Sequence, residues 1–142
     1  MSYESIIIAA AKAAKVSGAL LFAICLQESG NKNIYTESDG GSPTYGICQV
    51  KYDTATMMGY KGDPKGLMVP ATNAKYAAKY LKYQEKRYSG NWCHMTAAYN
   101  SGTLRIEKRS GKPKNLQYVL KVQKKLQEKL RPQLSCDIVK SD

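Results

Sequence analysis

Apolar positions open the chain at helical spacing. Ile6, Ile7, Ala10, Ala11 and Ala14 fall on one face between Ser2 and about Lys15, which predicts a helix that Ser17-Gly18 ends. Ala19 to Gln27 is apolar nearly all round (Leu20, Leu21, Phe22, Ile24, Cys25, Leu26), the pattern of a central, buried helix. That helix delivers Glu28 at its C-terminal end, just before Ser29-Gly30. Asn31 to Gly46 is rich in Asn, Ser, Gly, Asp and Thr, with one Pro43, and predicts turns or a small hairpin. Asp53 to Met58 reads as a short helix closed by Gly59, followed by a turn over residues 61–66.

Pro70 opens the next helix, about Ala71 to Tyr88. Ala74, Ala77, Ala78 and Leu81 form its inner side, and Tyr76, Tyr80 and Tyr83 are spaced to lie near one another. A helix from about Trp92 to Tyr99 follows. The last helix, Asn115 to Leu130, is predicted to turn Leu116, Val119, Leu120, Leu126 and Leu130 inward. Its Lys121, Lys124, Lys125 and Lys129 are left for solvent or a polyanion. Neither a repeat nor a linker interrupts the pattern, so residues 1–142 are expected to form one mostly α-helical domain.

Composition narrows the partner more than the reaction. The chain is 43% hydrophobic and 23% charged, within the soluble globular range. Twenty-two Lys and Arg against eleven Asp and Glu give a formal net charge of +11, which favours a polyanion: nucleic acid, anionic headgroups or an acidic cell wall. The apolar run from Ile6 to Ala11 is short, is interrupted by Lys12 and follows Glu4, so it reads as a helix face and not as an export signal or a membrane span. If the partner is an acidic cell wall, the chain would need another route out of the cytoplasm, as a phage product released at lysis or carried in a virion has, or an export signal that has been trimmed away.

Cys25, Cys48, Cys93 and Cys136 are separated by 23, 45 and 43 residues, with no CxxC pair and a single histidine, His94. That pattern supports neither a zinc site nor any other metal centre. Four cysteines allow three disulfide pairings, and buried free thiols are the favoured expectation. Glu28 is the candidate with chemistry. It follows eight residues without another charge, and a carboxyl beside apolar surface resists ionisation because its anion is poorly solvated. A protonated carboxyl in such a place donates to a leaving-group oxygen near neutral pH.

Three ordered signatures carry a resemblance. Glu28-Ser29 after an apolar helix, then Gly46-Ile47-Cys48-Gln49, then Ala97-Ala98-Tyr99-Asn100-Ser101-Gly102 resemble the catalytic domain of soluble lytic transglycosylases. Thr54-Ala55 with Gly59, Pro70 with Asn73, Tyr80-Leu81 and Tyr118-Val119 fall in the same order, so the likeness spans about Ile7 to Val122. It implies a lysozyme-like, goose-type helical domain with a small β-hairpin or loop beside the cleft. It also implies peptidoglycan glycan strands as substrate, cut at the bond between N-acetylmuramic acid and N-acetylglucosamine, with no cofactor.

By that likeness Glu28 is the single acid/base, and Ser29 fixes the neighbouring turn. Gln49 hydrogen-bonds substrate or Glu28, and Tyr99, Asn100 and Tyr118 line the cleft. Cys48 stands where the family often has Met, which implies a wider or differently shaped pocket. Glycoside hydrolysis ordinarily uses two carboxylates. Glu37 and Asp39 in the polar loop are the candidates for a second, and a water positioned by either would make the protein a hydrolysing muramidase. Eleven tyrosines against one Phe and one Trp suit sugar faces and hydroxyls. Lys51, Lys61, Lys65, Arg105, Lys108 and Arg109 would draw the chain to an anionic wall.

Two other classes compete. One is a non-catalytic wall-binding or assembly module, against which the presence of both Glu28 and Gln49 argues. The other is a nucleic-acid binder using the Lys-rich last helix, but no RRM, zinc-finger or helix-turn-helix signature accompanies those lysines. No nucleic acid and no transmembrane segment are therefore expected, and the protein is expected to be a monomer.

Overall fold

The computed structural model describes residues 2–38 and 41–137. It divides into two compact units, residues 1–82 and 83–142, with the boundary inside a long helix.

The first unit begins with α1 (Glu4–Ala14) and α2 (Gly18–Ser29). Between them the chain reverses through Lys15, whose backbone takes the left-handed conformation while Val16 N–H reaches back to the Ala11 carbonyl. Ser17 caps α2, its hydroxyl accepting from Leu20 N–H at 3.1 Å. The all-round apolar sequence of α2 has the expected result: Leu20, Leu21, Ala23, Ile24 and Cys25 are buried. Gly30, left-handed, ends it.

A small antiparallel sheet follows in the order β1 (Tyr35–Thr36), β2 (Thr44–Tyr45), β3 (Val50–Lys51), with Tyr35 opposite Tyr45 and Thr44 opposite Lys51. α3 (Tyr52–Met57) and a 3-10 turn (Pro64–Met68), capped by Asp63, lead to α4 (Pro70–Arg87). Pro70 occupies the first turn of α4, where its missing N–H leaves no gap.

Ala74, Ala77, Ala78 and Leu81 are all buried, as their spacing predicts. Tyr76 packs edge-on against Tyr60 at 5.2 Å, Tyr80 is buried, and Tyr83 is exposed under the Arg87 guanidinium.

The second unit holds the end of α4, then α5 (Trp92–Ser101), α6 (Leu116–Lys125) and a 3-10 segment (Glu128–Leu134). Asn91 caps α5 by accepting from His94 N–H at 2.9 Å. The last helix is shorter than its hydrophobic repeat suggests. It stops at Lys125, Leu126 turns extended and buried, and the chain tightens into a 3-10 path containing Pro132, which has no N–H to continue an α-helix. Leu120, expected inward, is 38% exposed, and Val122 takes the buried position.

The cysteines are paired, contrary to the expectation of free thiols. Cys25 joins Cys48 within the first unit, and Cys93 joins Cys136 within the second. Sequence spacing does not decide pairing; the approach of Cβ atoms does. Among the described residues no helix is long and apolar enough to cross a membrane.

Candidate active site

Glu28 is the penultimate residue of α2 and is half-buried. Its position is set by the five buried side chains upstream, because a rigid helix anchored in a core transmits that anchoring to its last turn. The C-terminal half of α2 is fastened to the Gly46–Gln49 turn by two devices, and a third holds that turn to α4, all within the first unit.

The first device is Ser29, itself buried, whose hydroxyl donates to the Ile47 carbonyl at 2.6 Å and accepts from Lys32 N–H at 3.3 Å. The second is the Cys25–Cys48 disulfide, which ties the body of α2 to the same turn. The third is Asn73 of α4, fully buried. Its Oδ1 accepts from Cys48 N–H at 2.8 Å, and its Nδ2 donates to the Tyr45 and Leu67 carbonyls at 2.6 and 2.8 Å.

Asn73 also explains Gly46. That residue has φ +80°, and a Cβ there would lie 2.5 Å from Asn73 Nδ2 and 2.8 Å from the Leu67 carbonyl oxygen. A side chain at 46 would displace the group that holds the turn.

Gln49 braces the loop that precedes it. Its amide is committed to the loop: Oε1 accepts from the Thr44 hydroxyl at 2.7 Å, and Nε2 donates to the Ile34 and Gly46 carbonyls at 2.9 and 3.0 Å. Gln49 has φ +51°, a left-handed backbone that costs a non-glycine residue about 1 kcal/mol. The three side-chain bonds offset that strain and lock the hairpin to the turn.

Cys48 is likewise withdrawn from direct contact with substrate, since it has no exposed surface and its sulfur is in the disulfide. The same bond removes it as a nucleophile.

The hairpin presents Tyr35, 48% exposed, with its ring 5.2 Å from that of Tyr45 across the strand pair. Loss of solvation raises the Tyr35 hydroxyl above its ordinary range, and the charge of nearby Glu37 and the Tyr45 ring add to this. Glu37 is exposed, just past β1. Asp39, the other candidate for a second carboxylate, lies outside the described residues.

In the second unit α5 carries Tyr99, which is 8% exposed, and Asn100, which is exposed. Asn115, at the start of α6, donates to both Ala97 O and Asn100 Oδ1, at 2.9 and 3.0 Å, and so fixes the Asn100 side chain. Tyr118, one turn into α6, is half-buried.

The end of the Ala97–Gly102 segment is held by a second buried amide. Gln84 Nε2 donates to the carbonyls of Ala98 and Gly102 at 3.3 and 3.2 Å, while Arg87 Nη1 bonds Gln84 Oε1 and the Gly102 carbonyl at 2.9 and 2.7 Å. Asn115, Gln84 and Arg87 do not stand out in the sequence; Asn73 does so only as a minor match. The signal for two of them is present nonetheless. Asn73 and Gln84 fall on the apolar stripe of α4 with Ala77 and Leu81, where a buried amide needs partners. Among the described residues no group of three or more His, Cys, Asp and Glu gathers as metal ligands would.

A mostly helical fold with a three-stranded sheet after a buried helix, and a glutamate at that helix's end, is the lysozyme-like class of architecture. The Transglycosylase SLT domain family matches residues 5–133, and the chain belongs to that family. Solved structures share the fold. An inactive mutant of the lytic transglycosylase Slt from Pseudomonas aeruginosa is 20% identical, with a TM-score of 0.63 over 93% of this chain and 22% of that one. The 70 kDa soluble lytic transglycosylase SLT70 from Escherichia coli is 19% identical, with a TM-score of 0.62 over 93% of this chain and 20% of that one. A complex of the 70-kDa soluble lytic transglycosylase with bulgecin A is 21% identical, with a TM-score of 0.62 over 94% and 22%. The chain thus spans about a fifth of the length of those proteins.

Proposed function

We propose that the protein is a peptidoglycan lytic transglycosylase with Glu28 as its single acid/base. The observation that carries this reading is Glu28 itself, at the end of a buried helix that Ser29 and the Cys25–Cys48 bridge tie to the Gly46–Gln49 turn, with Asn73 holding that turn, in a chain of the SLT family. A carboxyl so held is pre-organised for proton transfer.

In this mechanism protonated Glu28 donates its proton to the oxygen linking N-acetylmuramic acid to N-acetylglucosamine. The C1–O bond breaks, and the N-acetylglucosamine portion leaves as an alcohol. The substrate's own N-acetyl group stabilises the oxocarbenium-like centre at C1. Glu28, now a carboxylate, takes the proton of the muramyl 6-hydroxyl as that oxygen bonds C1, which closes the 1,6-anhydro ring and regenerates the acid.

Tyr99, Asn100 and Tyr118 contact the sugars in this reading, while Ser29 and Gln49 act one step back by holding the turn. The protein works as a monomer on the bacterial wall.

Digestion of purified peptidoglycan by wild type and by Glu28→Gln, with products read by mass spectrometry, tests the proposal. Anhydro-muropeptides from wild type alone are expected. Reducing muramyl ends, heavier by one water, would instead assign a hydrolysing muramidase with Glu37 or Asp39 placing the water. Equal activity of Glu28→Gln, or no glycan product at all, would leave a wall-binding module.

A further inference from the structure

The segment between α5 and α6 is a closed ribbon. Ile106 and Pro113 bridge antiparallel; Lys114 N–H bonds Arg105 O at 2.8 Å, Glu107 N–H bonds Lys112 O at 2.8 Å, and Gly111 N–H bonds Glu107 O at 2.9 Å. Its tip is pinned by its own acid. The Glu107 carboxylate accepts from Arg109 N–H at 3.0 Å and from Ser110 N–H at 2.7 Å, while Ser110 Oγ accepts from Lys112 N–H at 3.2 Å.

Five cations lie on these ten residues: Arg105, Lys108, Arg109, Lys112 and Lys114. Lys112 pairs with Asp137 at 3.3 Å. Arg105, Lys108 and Arg109 are exposed, and among the described residues none of the three is in an ion pair. Glu107, whose oxygens are held by backbone N–H groups, offsets one of the five, which leaves the ten residues with a formal charge of +4. The result is a concentrated positive charge on a backbone already ordered, so an anion binding there does not have to order the loop.

We propose that this ribbon is a binding site for a linear phosphodiester polymer attached to the bacterial wall, using residues other than those proposed to contact the cut glycan. The choice of the wall as the source rests on the function proposed above; the choice of a repeating polyanion rests on charge. The second unit carries thirteen Lys and Arg against five Asp and Glu, including the exposed Lys121, Lys124, Lys125 and Lys129 of α6 and the turn after it, many more cations than one phosphate engages. Arg105 and Arg109 offer the planar fork that meets phosphate oxygens in pairs. No aromatic residue stands between Thr103 and Asn115, so the ribbon lacks the stacking platforms of single-stranded nucleic-acid binding.

The test compares co-sedimentation with wall sacculi that retain their phosphodiester polymers and with sacculi stripped of them by hydrofluoric acid. Duplex DNA and anionic phospholipid vesicles serve as competing probes. Wild type should bind polymer-bearing walls about tenfold more tightly than stripped ones at low salt, and more tightly than either competitor.

Arg105→Gln/Lys108→Gln/Arg109→Gln should lose about tenfold in affinity and flatten the salt dependence. Lys12→Gln/Lys75→Gln/Lys79→Gln, which removes the same charge from the first unit, should lose about twofold or less. Arg105→Lys/Arg109→Lys keeps the charge and removes the forks, so it should lose about threefold, less than the glutamine variant, which separates charge from fork geometry.

Equal binding to stripped walls, equal loss in both triple variants, or tighter binding to DNA or vesicles would overturn the proposal. An active Glu28→Gln enzyme would overturn the catalytic reading and leave the sacculus comparison standing.

Discussion

The two units solve the same problem with similar parts and different margins. Each must hold a short stretch of chain rigid, and each uses one disulfide and one fully buried amide from α4: Cys25–Cys48 with Asn73 in the first, Cys93–Cys136 with Gln84 in the second. In the first unit the disulfide and the amide meet at one residue, Cys48, whose sulfur is bonded to Cys25 and whose N–H is bonded to Asn73. In the second they act apart, because Cys93 is in the first turn of α5 while Gln84 holds its far end. Concentrated bracing makes the Gly46–Gln49 turn precise and intolerant of loss; distributed bracing gives the Ala97–Gly102 segment redundant support.

The largest separation should come from opening the disulfides. Loop-closure entropy assigns roughly 3 kcal/mol to the 23-residue separation and roughly 4 kcal/mol to the 43-residue one. Cys93→Ser/Cys136→Ser should therefore lower the thermal midpoint at least as much as Cys25→Ser/Cys48→Ser. Activity should rank the other way. At a temperature where both variants are folded, the Cys25–Cys48 variant should lose about a hundredfold in kcat/KM on soluble glycan fragments and the other only a few-fold. Equal fractional losses would show that neither bridge is specific to the site.

The buried amides give the next contrast. Asn73→Ala strips Cys48 N–H of its acceptor and the Tyr45 and Leu67 carbonyls of a donor, and should destabilise by about 3 kcal/mol. Gln84→Ala should cost about 1 kcal/mol. The Ala98 carbonyl keeps Gly102 N–H at 2.7 Å, and the Gly102 carbonyl keeps Arg87. Urea unfolding of the two variants measures the difference, and a Gln84→Ala effect as large as that of Asn73→Ala would refute the redundancy.

These contrasts were only partly legible in the sequence. The helical architecture was, because α2 is apolar on every side and α4 carries an unbroken Ala/Leu stripe, patterns that only burial satisfies. The end of α6 was not, since Leu126 and Leu130 continue the repeat while the backbone leaves it at Leu126. Pro132 was the available warning. Gln49 and Cys48 stand out in the sequence as parts of an ordered motif, but periodicity does not say where a loop side chain points. The structure turns one into the brace of the hairpin and the other into a disulfide. Asn73 and Gln84 have the opposite character, as plain amides on an apolar stripe whose roles emerge only from backbone groups 6 to 28 residues away.

The smallest effect belongs to Glu107 and sharpens the comparison at its charged end. Hydrogen bonds from Ser110, through its side chain and then its N–H, and from Arg109 N–H hold the Glu107 carboxyl below its ordinary range, with Lys114 adding to this. A depressed carboxyl contributes stability that is present in full above its unfolded value, near 4.5, and is lost as pH falls through the folded one. Because the group is on the surface, the ribbon tip should loosen locally while the two units stay folded. In an NMR titration the Arg109 and Ser110 amide resonances should move below pH 4.5, and Glu107→Gln should abolish that step. The turn held by Asn73 contains no titrating side chain among its hydrogen bonds, so the Cys48 amide should stay fixed over the same range. If Cys48 moves together with Ser110, the acid transition is global and the ribbon has no independent lock.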